Sequence, residues 1–222
     1  MLVVAALSDF AVLRVLSGAQ YLLALDTDRV QALARLSIAA HAPRVRLGIV
    51  LTLLTVFDAL ALAVALFAIT RRGDPDLAVL ALSCRIGEGL LNAIGLVAML
   101  SLLWLAMATA AEAPDAAAAN ALGAALLLKV RGWSWSIGGT AFAVGSTLYS
   151  WLFLRAPSVP VPLAWLGVLA SILLVVLLPA QLVGFVKRPV TDFMWIPTGA
   201  FEVALGLWLL LKGVAMPASR RT

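Results

Sequence analysis

The chain has 222 residues, of which 64% are hydrophobic and 12% charged. Soluble domains are about half apolar and about a quarter charged, so this composition points to a bilayer as solvent. The net charge of +5 does not point to nucleic acid, because the basic residues sit in short clusters between apolar runs and form no stripe or recognition motif. One cysteine, Cys84, excludes an intrachain disulfide, and one histidine, His41, excludes the usual multi-histidine haem and zinc sites, so neither metal nor cofactor is expected.

Six segments reach the roughly 20 residues that a spanning helix needs: 2–24, 47–70, 77–107, 132–154, 162–186 and 195–213. The first, "MLVVAALSDFAVLRVLSGAQYLL", lacks a basic leading region and carries Asp9 and Arg14. It reads as a rather polar first membrane helix and not as a signal peptide. Residues 26–46 open with capping residues and reach Pro43, and residues 109–131 carry Pro114, Asp115 and an alanine-rich run. Both predict short helices in the interface.

The second segment contains Thr52, Thr55 and Asp58 on one broad face, and ends in "TRRGDPD". The third carries Arg85, Glu88, Asn92, Gly95 and Met99 at spacings of three, four, three and four, a single helical stripe facing one partner surface. The fourth has Gly132, Ser136, Gly139, Ala143, Ser146 and Ser150 in the same rhythm, all small, which predicts close helix packing. In the fifth, Pro179 and Gln181 suggest a kink. In the sixth, Pro197 suits a first turn, and Glu202 lies among Gly199, Gly206 and Gly213. Trp104, Trp133, Trp135, Trp151, Trp165 and Trp195 lie near segment ends, as an interfacial aromatic belt would.

Six spans put both termini on one side, with six basic residues on that side and eight on the other, so the basic bias sets no orientation. At 1.5 Å per residue, Asp9, Asp58, Arg85, Glu88 and Glu202 all fall roughly 12–18 Å from the face carrying the termini, with Arg14 slightly deeper. A charge at such depth costs about 3 kcal/mol, so these groups are expected to face the bundle interior and pair. Arg85 is expected to be held by carboxylates from neighbouring helices. Two arginines cannot neutralise four carboxylates, so either one or two of the acids hold a proton or a cation fills the gap.

The stretches "CRIGEGLLNAIGLVAMLSLL" and "PTGAFEVALGLWLLLKGV", in order with the second and fourth segments, resemble the bacterial membrane-protein family known as domain of unknown function 4386. The likeness is most specific at Arg85 and Glu88 and at the ending that carries Glu202 and Lys212. It implies a six-helix protein of the bacterial inner membrane and brings no activity with it.

The expected fold is therefore an all-α integral membrane protein, one domain of six spanning helices with two short interfacial ones. The leading functional expectation is a site for a small lipophilic or cationic ligand, formed by Arg85, Glu88, Asn92, Asp58 and Glu202, with membrane lipid as the other partner. Two alternatives stand beside it. One is an intramembrane enzyme using a protonated acid among Glu88, Glu202 and Asp58 on a lipid or isoprenoid. The other is an accessory subunit without chemistry. Motifs for serine hydrolases, zinc proteases and nucleotide binding are absent.

Overall fold

The computed structural model describes residues 42–108, 114–155 and 159–212, and every regular element within them is an α-helix. These are α1 (Ala42–Thr70), α2 (Pro75–Ala108), α3 (Pro114–Arg155), α4 (Val161–Leu182) and α5 (Arg188–Lys212). All five are long and apolar enough to cross a membrane. Lipid offers backbone groups no hydrogen-bond partners, so a chain of this composition satisfies them within helices. The expected sixth span at 2–24, with Asp9 and Arg14, lies outside the described residues, as does most of the expected interfacial helix at 26–46.

Local signals explain the boundaries. Asp74 caps α2: its Oδ1 accepts from the Leu77 backbone N–H at 3.1 Å, and Pro75 takes the first helical position. The Asp74 Oδ2 also receives Arg155 Nη1 at 3.3 Å, which ties the C-terminal end of α3 to the N-terminus of α2. Gly184, with φ of 86°, closes α4: the Phe185 N–H donates to the Ala180 carbonyl at 2.9 Å and the Gly184 N–H to the Gln181 carbonyl at 3.0 Å. That paired pattern needs a left-handed residue, which glycine adopts without strain.

Three expectations change. Residues 114–131 form no separate interfacial helix; they run unbroken into α3, 42 residues in all. No proline interrupts that stretch after Pro114, and its alanines favour helix strongly enough to carry it through Gly123 and Gly132. The second segment, expected from 47, begins at Ala42, with Pro43 in the first turn of α1, where its missing N–H removes no bond. Pro197 lies well inside α5, which begins at Arg188.

The described residues divide into two compact units. One holds the described residues up to Phe57 together with Leu90–Trp135. There Leu102, Leu103, Ala106 and Ala124 are buried, Gly95 packs towards Ser134, and Arg46 Nη2 donates to Met107 Sδ at 3.6 Å. The other unit holds Asp58–Gly89 and the described residues from Ser136 onward. Its larger apolar cluster joins Leu66 of α1, Ala78 and Ala81 of α2, Tyr149, Leu152 and Phe153 of α3, Ala164 of α4, and Phe201 and Leu205 of α5. A smaller one joins Phe142 and Ala143 to Leu174 and Leu178, with Met194 and Trp195 against it.

Small residues set the approach of these helices. An added Cβ on Gly139 would stand 3.1 Å from Leu178 and 3.3 Å from Trp195, and Ala143 is fully buried against α4. The expected small-residue seam of α3 is therefore realised at Gly139, Ala143 and Ser150, whereas nothing among the described residues comes within 4 Å of a Cβ added at Gly132. The closest approach is at Gly167 of α4, where an added Cβ would collide with Ser150 Oγ and lie 2.5 Å from Phe201 Cζ. Of the six terminal tryptophans, five are exposed as a lipid-facing belt requires, while Trp195 turns inward to stack obliquely on Phe142 at 5.7 Å.

Candidate functional site

The second of these units holds a buried guanidinium. Arg85 projects from α2 and is 5% exposed. Its Nη1 lies 2.9 Å from Glu88 Oε2, an i,i+3 pair on one helix. Its guanidinium carbon stands 4.6 Å over the Phe142 ring of α3. This stacking puts the ring's negative face under the cation and removes water from that side. The stem of Arg85 crosses α3 at Gly145, where an added Cβ would meet Arg85 Cδ at 3.3 Å and the Ala81 carbonyl at 3.2 Å. A larger residue at 145 would push the arginine off its seat.

Arg85 is not saturated. Its Nε and Nη1 are both buried and make no hydrogen bond among the described residues, Nη1 being held by the ion pair alone. Beside it lies a small cavity of about 20 Å³, lined among others by Arg85, Ser146, Tyr149, Ser150 and Glu202. Tyr149 donates its hydroxyl to the Ala63 carbonyl of α1 at 3.1 Å. Ser150 is fully buried, and its Oγ has no hydrogen-bond partner. Glu202, brought in by α5, forms no ion pair among the described residues.

The sequence predicts a carboxylate from another helix beside Arg85; Glu202 of α5 lines the same cavity, Asp9 lies outside the described residues, and the ion pair seen is with Glu88. Glu88 is on the same helix as Arg85, and a residue one turn away reaches the guanidinium at little cost in side-chain freedom. Asp58 is half-buried, and its Oδ2 is buried without a hydrogen bond, but it does not line the cavity. Asn92, one turn beyond Glu88, is half-buried, belongs to the other unit, and does not line the cavity. Of the five expected site residues, the structure therefore gathers three: Arg85 and Glu88 as a pair, and Glu202 across the cavity.

Phe142, Gly145 and Tyr149 escaped the sequence reading. They are spaced three and four apart on α3, a stripe beside the small-residue seam, and they form the wall against which Arg85 lies. An aromatic, a glycine and a tyrosine in that rhythm, on a helix next to one bearing a buried arginine, is the signal that could have found them.

Depth agrees with the layer inferred from the sequence. Arg85 lies ten residues into α2 and Glu202 ten residues before the end of α5. Both are therefore roughly 15 Å along their helices from the same end of the unit. An arginine and a glutamate meeting in one cavity at that depth is what such counting requires.

The sequence family described as "Domain of unknown function (DUF4386)" matches residues 1–213 of the chain. No curated protein and no solved structure matches it.

Proposed function

The chain belongs to this family, and we propose that it is a multi-pass protein of the bacterial inner membrane that binds a small lipophilic cation at the Arg85–Glu88–Glu202 centre. The observation that carries the reading is charge balance at the cavity. Arg85 is neutralised by Glu88, while Glu202 lines the same cavity with no cation paired to it among the described residues. An unneutralised carboxylate in a low dielectric favours a proton or a bound cation. Asp58 and Asn92, outside the cavity wall, are not assigned to the ligand.

Size narrows the occupant. A cavity of about 20 Å³ holds one water-sized group, since a single water needs about 10–15 Å³ on the same measure. A primary ammonium group meets that limit, so only the charged end of the ligand enters the centre. The enzymatic reading has no observation of its own in this geometry.

The test is thermal melting of the detergent-purified protein with n-butylammonium chloride, against sodium chloride at equal ionic strength. At a hundredfold excess over Kd, binding adds about 2.7 kcal/mol, which for a chain of this size raises Tm by about 5–10 °C. The shift should disappear in Glu202→Gln and weaken as pH falls, because protons compete for the same carboxylate. Equal shifts in wild type and Glu202→Gln would remove the assignment.

A second reading has its own support. The tight contact at Gly167 and the water-sized cavity also suit a polar centre that only fixes helix register. In that case n-butylammonium leaves Tm unchanged while Arg85 substitutions still destabilise.

A further inference from the structure

Of the five described spans α1 is the least buried, 11% against 50% for α3. From Arg46 to its end it carries one charged residue, Asp58, half-buried near the middle of the helix. The Asp58 Oδ2 is buried without a hydrogen bond, and Asp58 forms no ion pair among the described residues. On the same stripe of α1, at spacings of four, three and four, stand Leu54, Asp58, Ala61 and Ala65. Leu54, Ala61 and Ala65 are all exposed. A carboxylate at mid-bilayer depth is costly and normally pairs inside protein. Here the apolar surface on either side of it is uncovered.

The chain itself supplies both a cation and a cover. Residues 2–24, outside the described residues, are long enough for one crossing and contain Arg14. The family match begins at residue 1, so this segment belongs to the same family domain as α1. It directly precedes α1 among the spans, consecutive elements are usually neighbours, and consecutive spans run in opposite directions. Counted along a helix, Arg14 is twelve residues from Leu2, and Asp58 is twelve residues from the end of α1 at Thr70. Both counts give about 18 Å from the same membrane face.

We propose that residues 2–24 cross the membrane against the Leu54–Asp58–Ala61–Ala65 stripe of α1, and that Arg14 neutralises Asp58. Setting Arg14 level with Asp58 in an antiparallel pair brings Gly18 to Leu54, Ala11 to Ala61 and Leu7 to Ala65. Leu7, Ala11, Arg14 and Gly18 are spaced four, three and four, so they form one stripe of a helix. At each level beside the charge pair, at least one of the two residues is small. That allows close approach of helices in lipid. Asp9, the other charged residue of the segment, has the sign that Asp58 repels, and it lies about 140° round the helix from Arg14. The inference does not depend on ammonium binding, but it bears on it. With Arg85 on Glu88 and Arg14 on Asp58, neither arginine of the buried layer is left for Glu202.

The test is disulfide cross-linking of the full chain in bacterial membranes, in a Cys84→Ser background with copper phenanthroline as oxidant. Ala11→Cys with Ala61→Cys should form a disulfide within one chain, read as a monomer-sized band whose thiols no longer take up a maleimide label. Gly18→Cys with Gly199→Cys reports the rival placement, with Arg14 level with Glu202 of α5, and should stay reduced. These changes are small, so cross-linking decides even where a charge exchange prevents folding. In melting curves, Arg14→Asp and Asp58→Arg should each lower Tm by about 5 °C or more, and the double exchange should recover most of the loss. A dimer-sized Ala11–Ala61 product would give this face to a second copy and overturn the proposal. A Gly18–Gly199 disulfide would overturn it too, and would also remove the charge balance behind the ligand reading. An Ala11–Ala61 pair that stays reduced overturns the docking alone, and the butylammonium experiment still stands. A double exchange that recovers nothing overturns the Arg14–Asp58 pair.

Discussion

Gly167→Ala is the sharpest perturbation of the packing that brings Glu202 to Arg85. The new methyl group would collide with Ser150 Oγ and lie 2.5 and 2.6 Å from Phe201 Cζ and Cε2. Carbon atoms pack at about 3.5–4.0 Å, so α4 must withdraw by about 1 Å, or Phe201 must leave its rotamer. Phe201 is 4% exposed and Ser150 is fully buried, and the cavity beside them is only water-sized, so neither can turn far. Overpacking of this kind costs about 1–3 kcal/mol, which predicts a Tm loss of about 2–12 °C for a chain of this length. The assay is detergent melting beside Gly87→Ala, where nothing among the described residues stands within 4 Å of the added carbon. Gly87→Ala should be neutral or stabilising, since alanine favours helix over glycine by up to about 1 kcal/mol. Phe201→Leu added to Gly167→Ala should recover part of the loss. If Gly167→Ala melts with or above Gly87→Ala, the three-helix contact of α3, α4 and α5 is not as described.

Other outcomes follow from the same geometry. Arg85→Met should destabilise by about 3–5 kcal/mol, because it breaks the buried ion pair with Glu88 and removes the stack on Phe142, and the double change with Glu88→Met should recover part of that in melting curves. Arg85→Lys should not restore the wild-type Tm, since an ammonium does not reproduce the planar stack on Phe142. Gly139→Leu should lower Tm more than Leu at a lipid-facing site such as Val176, because even a Cβ there would stand 3.1 Å from Leu178 and 3.3 Å from Trp195, inside van der Waals distance. Gly184→Ala should cost about 1 kcal/mol, read as a Tm loss of about 2–4 °C, through its left-handed backbone.

What could be seen beforehand follows physical range. Length and hydropathy identified the spans now seen as α1, α2, α4 and α5, because a membrane helix is specified almost residue by residue through contact with lipid. Depth counting placed Arg85 and Glu202 in one layer, since helix rise is fixed. Counting gives height and not azimuth, so it could not say that Arg85 pairs with Glu88 one turn away while Glu202 shares its cavity. Phe142 and Tyr149 went unnoticed because in so apolar a chain an aromatic residue carries no contrast until the arginine it faces is known. The fusion of 114–131 into α3 was hidden by Pro114 and Asp115, which signal a start correctly but say nothing of where the helix ends.

The measurement that bears most directly on the charged centre is an experimental density map of the protein in lipid nanodiscs, collected with and without n-butylammonium. The account predicts Arg85 stacked on Phe142 and paired with Glu88, with non-protein density that contacts Glu202 and extends away from it when the amine is present. A closed cavity in which Glu202 bonds Arg85 directly, with no density between them in either sample, would contradict it.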